Sequence, residues 1–320
     1  MDEKYQVSET KTHYPKVTIV GAGNVGATTA LLLLLKEIAN VVMIDVAIGI
    51  AKGKALDLMH MRASEHFGPT VIGTGNYEDT VNSDLVIITA GIPRKPGMSR
   101  EDLISVNAGI VKSVMEAALP ASPDAVFIIV TNPLDVLTNM TRQLFEIPPA
   151  RLIGMGGVLD TARFTAAIAA ETGANPADIE ALVVGAHGEA MVPLPSLAKV
   201  KGQALLSLID KAALERILMA TVDGGAAVVR LLETGSAFYA PAAAIVKMVE
   251  AILGNTGASL SCCSYLQGEY GVRDVSLCLP TVLGSEGVRK IVELTLAPEE
   301  LRQLQASARA VKAQLQPGLA

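Results

Sequence analysis

The stretch VTIVGAGNVGATTALLLLL, residues 17–35, decides the fold. Val17 to Val20 is a short, β-branched apolar run; Gly21-Ala22-Gly23-Asn24-Val25-Gly26 then turns the chain, and the segment after it has the composition of a buried helix. Strand, G-x-G-x-x-G turn and helix in immediate succession form a dinucleotide-binding arrangement. The glycines permit a tight turn and close backbone approach, and the helix N-terminus offers free amides and a positive dipole end to a pyrophosphate. The glycine pattern alone is common, so its weight comes from the strand and helix on either side. The same stretch is the longest without charge and is long enough to raise the question of a membrane span. Three glycines and Asn24 interrupt it, however, and it reads better as strand, turn and helix. The leucines at 31–35 are expected to form the buried face of that helix.

A second strand, Val41 to Ile44, ends at Asp45, nineteen residues beyond Gly26. A carboxylate there accepts the ribose hydroxyls of an adenosine and repels a 2′-phosphate, and neither arginine nor lysine follows before Lys52; NAD is expected rather than NADP. Further apolar runs stand at Thr70 to Ile72, Leu85 to Thr89, Val126 to Val130 and Arg151 to Ile153, separated by helical stretches. Strands without polar alternation, interleaved with helices, predict an α/β, doubly wound parallel sheet covered on both faces, a Rossmann domain over residues 15–154. Ser99 with Asp102 has the pattern of a capping box, and Pro133 suits a first helical turn.

After residue 155 the pattern changes to a mixed α+β domain running to 320. Helices are expected from Leu159 to near Gly173, after the Asn175-Pro176 cap, at about 210–233 and at 241–253. Strands are expected at Ala181 to Val184, Leu260 to Leu266 and Ser276 to Leu283. Residues 1–14 read as a polar N-terminal extension; Asp2, Glu3, Glu9 and Pro15 leave no apolar core for a secretory signal.

With 320 residues, half of them apolar and only 18% charged, the chain has ample surface to bury and no disordered character. The net charge of −6, without a basic block, argues against nucleic acid or an anionic membrane as partner. A small anionic ligand must then be met by a few local arginines. Three cysteines, Cys262, Cys263 and Cys278, are an odd count that suits reduced thiols in a cytoplasm. Adjacent Cys262 and Cys263 would face opposite sides of a strand as small buried hydrophobes. No metal is expected, because no ligands stand at metal spacing along the chain.

Four places carry chemistry. Asn132, at the end of the fifth strand in Thr131-Asn132-Pro133, meets either a ligand or the backbone of the following helix as a cap. Asp160 and Arg163 are one turn apart in an apolar stretch, as a buried ion pair would be. His13, His60 and His66 have ordinary polar surroundings. His187 follows an apolar strand in Gly185-Ala186-His187-Gly188-Glu189, where flanking glycines leave an imidazole accessible. Gly91-Ile92-Pro93-Arg94-Lys95-Pro96-Gly97-Met98-Ser99-Arg100 joins stiff prolines, pivoting glycines and three cations, either as a lid over an anion or as a solvated basic loop.

The ordered segments GAGNVG, GIPRKPGMSREDL, VTNPLD, GGVLDTARF, GAHGE and TGSAFYAPAAA together resemble the malate/lactate dehydrogenase family, and within it the malate branch that is similar to lactate dehydrogenases. The resemblance spans about Lys16 to the C-terminal helix. It implies reversible hydride transfer between (S)-malate and oxaloacetate, with NAD as cofactor. His187 is the implied acid/base, Asp160 its partner, Arg163 the clamp on the substrate's C1 carboxylate and Arg100 the loop arginine polarising the carbonyl. Arg94 matches the specificity position, and Asn132 and Ser236 match the substrate pocket. The cofactor set implied is Gly21, Gly23, Asn24, Val25, Gly26, Asp45, Asn107, Val130 and Asn132. A homotetramer or homodimer is also implied. Glu189 departs from the usual aspartate, which lengthens the reach of that charge. The rival readings are an L-lactate dehydrogenase, which Arg94 opposes, and a non-catalytic NAD-binding redox sensor, which has no need of His187, Asp160, Arg163 and Arg100 together.

Overall fold

The structure is a computed structural model that describes residues 13–93 and 97–315. Its first half alternates β1 (Lys16–Val20), α1 (Asn24–Leu35), β2 (Asn40–Ile44), α2 (Ile48–Glu65), β3 (Val71–Thr74), β4 (Leu85–Ile88), α3 (Arg100–Ala121), β5 (Val126–Ile129), α4 (Leu134–Phe145) and β6 (Leu152–Gly154). The strands are parallel in the order β3-β2-β1-β4-β5-β6, the doubly wound sheet expected from the glycine turn. Its apolar strands are buried on both sides, and the pleat divides them. Leu85, Ile87, Val126 and Ile128 enter one core with α1, whereas Val86, Ile88, Phe127 and Ile129 enter the other with α3 and α4.

The run at 31–35 does not all face inward. Leu33 and Leu34 are fully buried, but Leu35 is exposed, because each helical residue rotates about 100° from the last and a run of five must sweep past the buried stripe. Among the described residues one helix, α3, is long and apolar enough by length and composition to cross a membrane. Its Ile104, Val111, Val114, Met115 and Ala118 are buried in the core. Ser99 caps it: its Oγ accepts from Asp102 N at 3.0 Å while its own N–H donates to the Asp102 carboxylate at 3.0 Å.

The second half comprises α5 (Gly157–Thr172), β7 (Ile179–Glu180), β8 (Val183–Gly185), β9 (Met191–Pro193), β10 (Lys199–Val200), β11 (Gln203–Ala204), α6 (Lys211–Leu232), α7 (Tyr239–Leu253), β12 (Ser259–Gln267), β13 (Arg273–Gly284), β14 (Gly287–Ile291) and α8 (Pro298–Gln314). β12 pairs with β6 at Cys263 and Gly154, so the antiparallel strands β12-β13-β8-β9, with β14 beside β13, continue the parallel sheet to eleven strands. β11-β10-β7 form a separate small sheet. The helix expected after Asn175 is only a 3-10 turn, Pro176–Asp178, capped by the Asn175 carbonyl on Ala177 N. Cys262 lies in the core beside α1 and α7, and Cys263 in the core beside α4, on opposite faces of β12. Of the extension expected at 1–14, residues 1–12 lie outside the described residues.

Candidate active site

β8 ends at Gly185, and the chain beyond it delivers His187 to the first turn of α5, where Asp160 is buried at 1% exposure. His187 Nδ1 lies 2.8 Å from Asp160 Oδ2, and Arg163 Nη1 donates to Asp160 Oδ1 at 3.2 Å. One carboxylate therefore serves both an imidazole and a guanidinium, whose side chains are only 16% and 18% exposed. The ion pair read from the Asp160–Arg163 spacing is present, and the same carboxylate also holds the histidine. Burial opposes a charge on His187, but the Asp160 carboxylate, its hydrogen bond and the nearby Asp135 carboxyl outweigh burial and raise the imidazole above its ordinary pKa. Its Nδ1 is occupied by Asp160, which leaves Nε2 as the nitrogen available to a substrate.

Two supports were not evident from the sequence. Asp135, in the buried first turn of α4, accepts the His187 backbone N–H on Oδ2 at 2.8 Å. The available signal was an acid in an otherwise apolar run, 52 residues away in the chain. Gly224 and Gly225, in the middle of α6, face Arg163; a Cβ on Gly225 would stand 3.2 Å from Arg163 Nη2, so the guanidinium lies directly against the helix surface.

The dinucleotide turn has the form required of a phosphate cradle. Gly21 takes φ +107°, and a Cβ there would come within 2.6 Å of Thr89 Oγ1. Open space lies over exposed Gly23, and no side chain caps the start of α1, whose first turn contains Asn24, Val25 and Gly26. Asp45 accepts from Ala22 N–H at 2.7 Å and from Ala47 N–H at 2.8 Å, so its carboxylate is fixed at the end of β2; Lys54 reaches the same turn at the Ala22 carbonyl. These residues fit a dinucleotide with a free ribose.

Buried Asn107 spends its amide on protein: it accepts from Ile92 N–H and donates to the carbonyls of Ile92 and Asn132, joining the root of the 91–100 loop to the end of β5. Val130 lies at that strand end, its N–H bonded to Ile88. Asn132 is exposed, its Oδ1 reaching Leu134 N–H at 3.4 Å as a weak cap. Arg100, at the first turn of α3, and Ser236, between α6 and α7, are exposed and make no side-chain hydrogen bond among the described residues. Arg94 lies outside the described residues. The structure thus brings His187, Asp160 and Arg163 together, and places the cofactor set along the carboxyl edge of the parallel strands.

A dinucleotide cradle on a doubly wound sheet, beside a buried imidazole, carboxylate and guanidinium, defines an NAD-dependent 2-hydroxy acid oxidoreductase. The lactate/malate dehydrogenase NAD-binding domain matches residues 15–154, and the alpha/beta C-terminal domain of the same family matches residues 157–320. The chain belongs to the lactate/malate dehydrogenase family. It is 49% identical over 298 residues to a malate dehydrogenase of Nostoc punctiforme, covering 93% of this chain and 91% of that one. It is 46% identical to one of Roseiflexus castenholzii, covering 94% and 97%. Among solved structures it is similar to the malate dehydrogenase of Cryptosporidium parvum, with TM-score 0.91 and 40% identity over 95% of this chain and 98% of that one. It is similar also to the lactate dehydrogenase of the same organism, complexed with lactic acid and NAD, with TM-score 0.92, 38% identity, and 95% and 98% covered.

Proposed function

We propose that this chain interconverts (S)-malate and oxaloacetate with NAD, its Rossmann half at 15–154 holding the cofactor and the half from 155 onward supplying the proton and the substrate clamp. The observation that carries the reading is the 2.8 Å contact between His187 Nδ1 and the Asp160 carboxylate, shared with Arg163. When bound to the turn at Gly21, Gly23, Asn24, Val25 and Gly26, with its ribose on Asp45, NAD(H) supplies the hydride. Everything else is the work of side chains. His187, whose protonated form Asp160 stabilises, donates from Nε2 to the reduced carbonyl oxygen and, in the reverse direction, accepts the hydroxyl proton when neutral. Asp160 fixes the imidazole's orientation and stabilises its charged form. Arg163 presents a planar fork to the C1 carboxylate, which lysine does not match. Arg100, arriving with the loop, faces the developing alkoxide and excludes water. Asn132 and Ser236 line the substrate pocket, and Asn107 and Val130 shape the floor beneath the cofactor.

Likeness in fold does not separate malate from lactate, since both kinds of relative superpose equally well. The identities of the curated malate dehydrogenases and Arg94 favour malate. Oxaloacetate brings a second carboxylate into a closed site, and Arg163 and Arg100 are already committed; Arg94 is the remaining loop arginine. With pyruvate the same guanidinium would face a methyl group. Arg94→Gln is expected to cost oxaloacetate about 2–5 kcal/mol of transition-state stabilisation, while pyruvate reduction holds steady or rises. The test is kcat/KM for both keto acids, with NADH, in wild type and variant at one pH and ionic strength. An unchanged ratio would show that Arg94 is only a solvated loop residue and would take away its support for malate.

The chain is read as a cytoplasmic homo-oligomer, a tetramer or dimer, without nucleic-acid or membrane partners. Exposed apolar residues on α2 (Ile48, Ile50, Leu56) and α6 (Met219, Val222, Leu231) support a subunit interface, and the net charge of −6 supports the absence of polyanionic partners.

A further inference from the structure

Behind His187, on the core face of β12 and β13 that meets α4, three donor groups converge, of which the two thiols take no part in the hydride chemistry. Cys263 and Cys278 are directly opposed on neighbouring antiparallel strands, so both side chains leave the same face of the sheet. Asp135 comes to them from the first turn of α4, and the ligand atoms of all three lie within 4.8 Å of one another. All three are buried. Spacing along the chain did not reveal the cluster: Asp135 is 128 residues from Cys263, and the β6–β12 junction together with the packing of α4 on β13 closes that interval.

Simple packing does not account for this cluster. Asp135 Oδ2 accepts from the His187 N–H, whereas Oδ1 is buried with no nitrogen or oxygen donor, and the Cys263 thiol is the carboxyl's remaining neighbour. A carboxylate oxygen whose only neighbouring donor is a weak thiol is poorly satisfied in an apolar core. Gly157 N–H, at the start of α5, points at Cys278 Sγ at 3.2 Å, a contact that favours a thiolate. A tetrahedral zinc ion with Zn–S distances of about 2.3 Å and a Zn–O distance of about 2.1 Å separates its ligand atoms by roughly 3.6–3.8 Å, and those of this trio lie within 4.8 Å of one another. Two sulfurs and one carboxylate also match the preference of a thiophilic d10 cation and not that of magnesium or calcium.

We propose that Cys263, Cys278 and Asp135 form a binding site for a thiophilic divalent cation of the zinc and cadmium class. Binding replaces two thiol protons, M2+ + 2 RSH giving M(SR)2 + 2 H+, with both protons passing to solvent and no change of oxidation state. Both thiols are buried, so the ion must displace their protons, while Asp135 brings its carboxylate. Three protein ligands are one fewer than a closed structural zinc site has. Occupancy engages Asp135 on Oδ1 while Oδ2 still holds the His187 backbone, so the ion tightens the wall behind the imidazole. That last consequence rests on the function proposed for His187; the binding itself does not.

The test is titration of the reduced, metal-stripped full chain with CdCl2, read by the sulfur-to-cadmium charge-transfer absorbance in the ultraviolet, followed by displacement with ZnCl2. The expected result is a band that saturates at one Cd2+ per chain and collapses on adding Zn2+. Cys263→Ser and Cys278→Ser should each abolish it, whereas Cys262→Ser, on the opposite face of β12, should leave it intact. Melting and NADH binding report whether the serine variants fold. If one does not, Asp135→Asn, which keeps both thiols, should weaken Cd2+ binding by roughly tenfold or more. Absence of a saturable band in the wild-type protein, or a band that depends on Cys262 and not on Cys263, would overturn the site. Either result would leave the dehydrogenase reading untouched, because the readout does not pass through turnover.

Discussion

The two sides of the proposed cleft are built differently. On the side of α5 and β8, each group has its position fixed by protein: His187 by Asp160 through its ring and by Asp135 through its backbone, Arg163 by Asp160 and by the surface of α6. On the other side, Arg100, Asn132 and Ser236 are exposed, and only the Asn132 cap touches the backbone. The contrast teaches a division of labour. In the function proposed above, the buried side holds the proton and the clamp in an arrangement whose desolvation was met on folding, and the exposed side is completed by substrate.

The largest expected effect falls on the buried side. His187→Ala should lower kcat by about 10²–10⁴-fold, the contribution of one positioned acid/base group, while the Kd for NADH stays within about twofold by fluorescence titration. Loss of NADH binding to the same degree would place His187 on the cofactor side and break the comparison. Arg100→Ala should cost about 10²–10³-fold in kcat, as for removal of one transition-state donor. Because Arg100 makes no side-chain hydrogen bond among the described residues, the thermal midpoint of this variant should not move, unlike that of an Asp160 variant, where breaking a buried ion pair costs about 3–5 kcal/mol. A drop in the Arg100→Ala midpoint would show that the exposed side is also held by the fold.

Gly225→Ala is expected to give the smallest effect on rate, with an opposite sign on stability. Glycine in a helix interior costs about 0.5–1 kcal/mol relative to alanine, so the melting temperature should rise. The new methyl, 3.2 Å from Arg163 Nη2, must displace the guanidinium by a few tenths of an ångström, and KM for the keto acid should rise several-fold with kcat little changed. A stabilised variant with unchanged KM would show that Arg163 does not need its seat against α6.

What the sequence revealed and what it concealed follow from the range of the interactions. β1, β2, β4 and β5 were legible because an apolar run between glycine or polar breaks needs no partner to be recognised, and the turn at Gly21 carries its own geometry. β7, β10 and β11 are two residues each and exist only through pairing with one another. The junction of β6 with β12 rests on one residue pair more than a hundred positions apart, so nothing local announces that the halves share a sheet. Within the site, His187 and Asp160 stood out by their flanking residues and by resemblance. Asp135, Gly225 and the Cys263–Cys278 pair did not, because each is defined by what the tertiary fold sets against it. Leu35 shows the converse error: a uniform run hides the rotation of the helix beneath it.

The central claim is that Asp160 holds His187 in its charged form for proton donation, and the most direct measurement is the pH dependence of kcat/KM for oxaloacetate in wild type and Asp160→Asn. Reduction needs the protonated imidazole, so the wild-type rate should fall as pH rises through a His187 pKa that lies above 6.5. Without the Asp160 charge, burial is opposed only by the weaker pull of Asp135, the imidazole loses its proton at lower pH, and the descending limb should move to lower pH beneath a reduced plateau. A descending limb that stays in place in Asp160→Asn would contradict the account, because the group titrating in the rate would then not be the histidine that Asp160 holds.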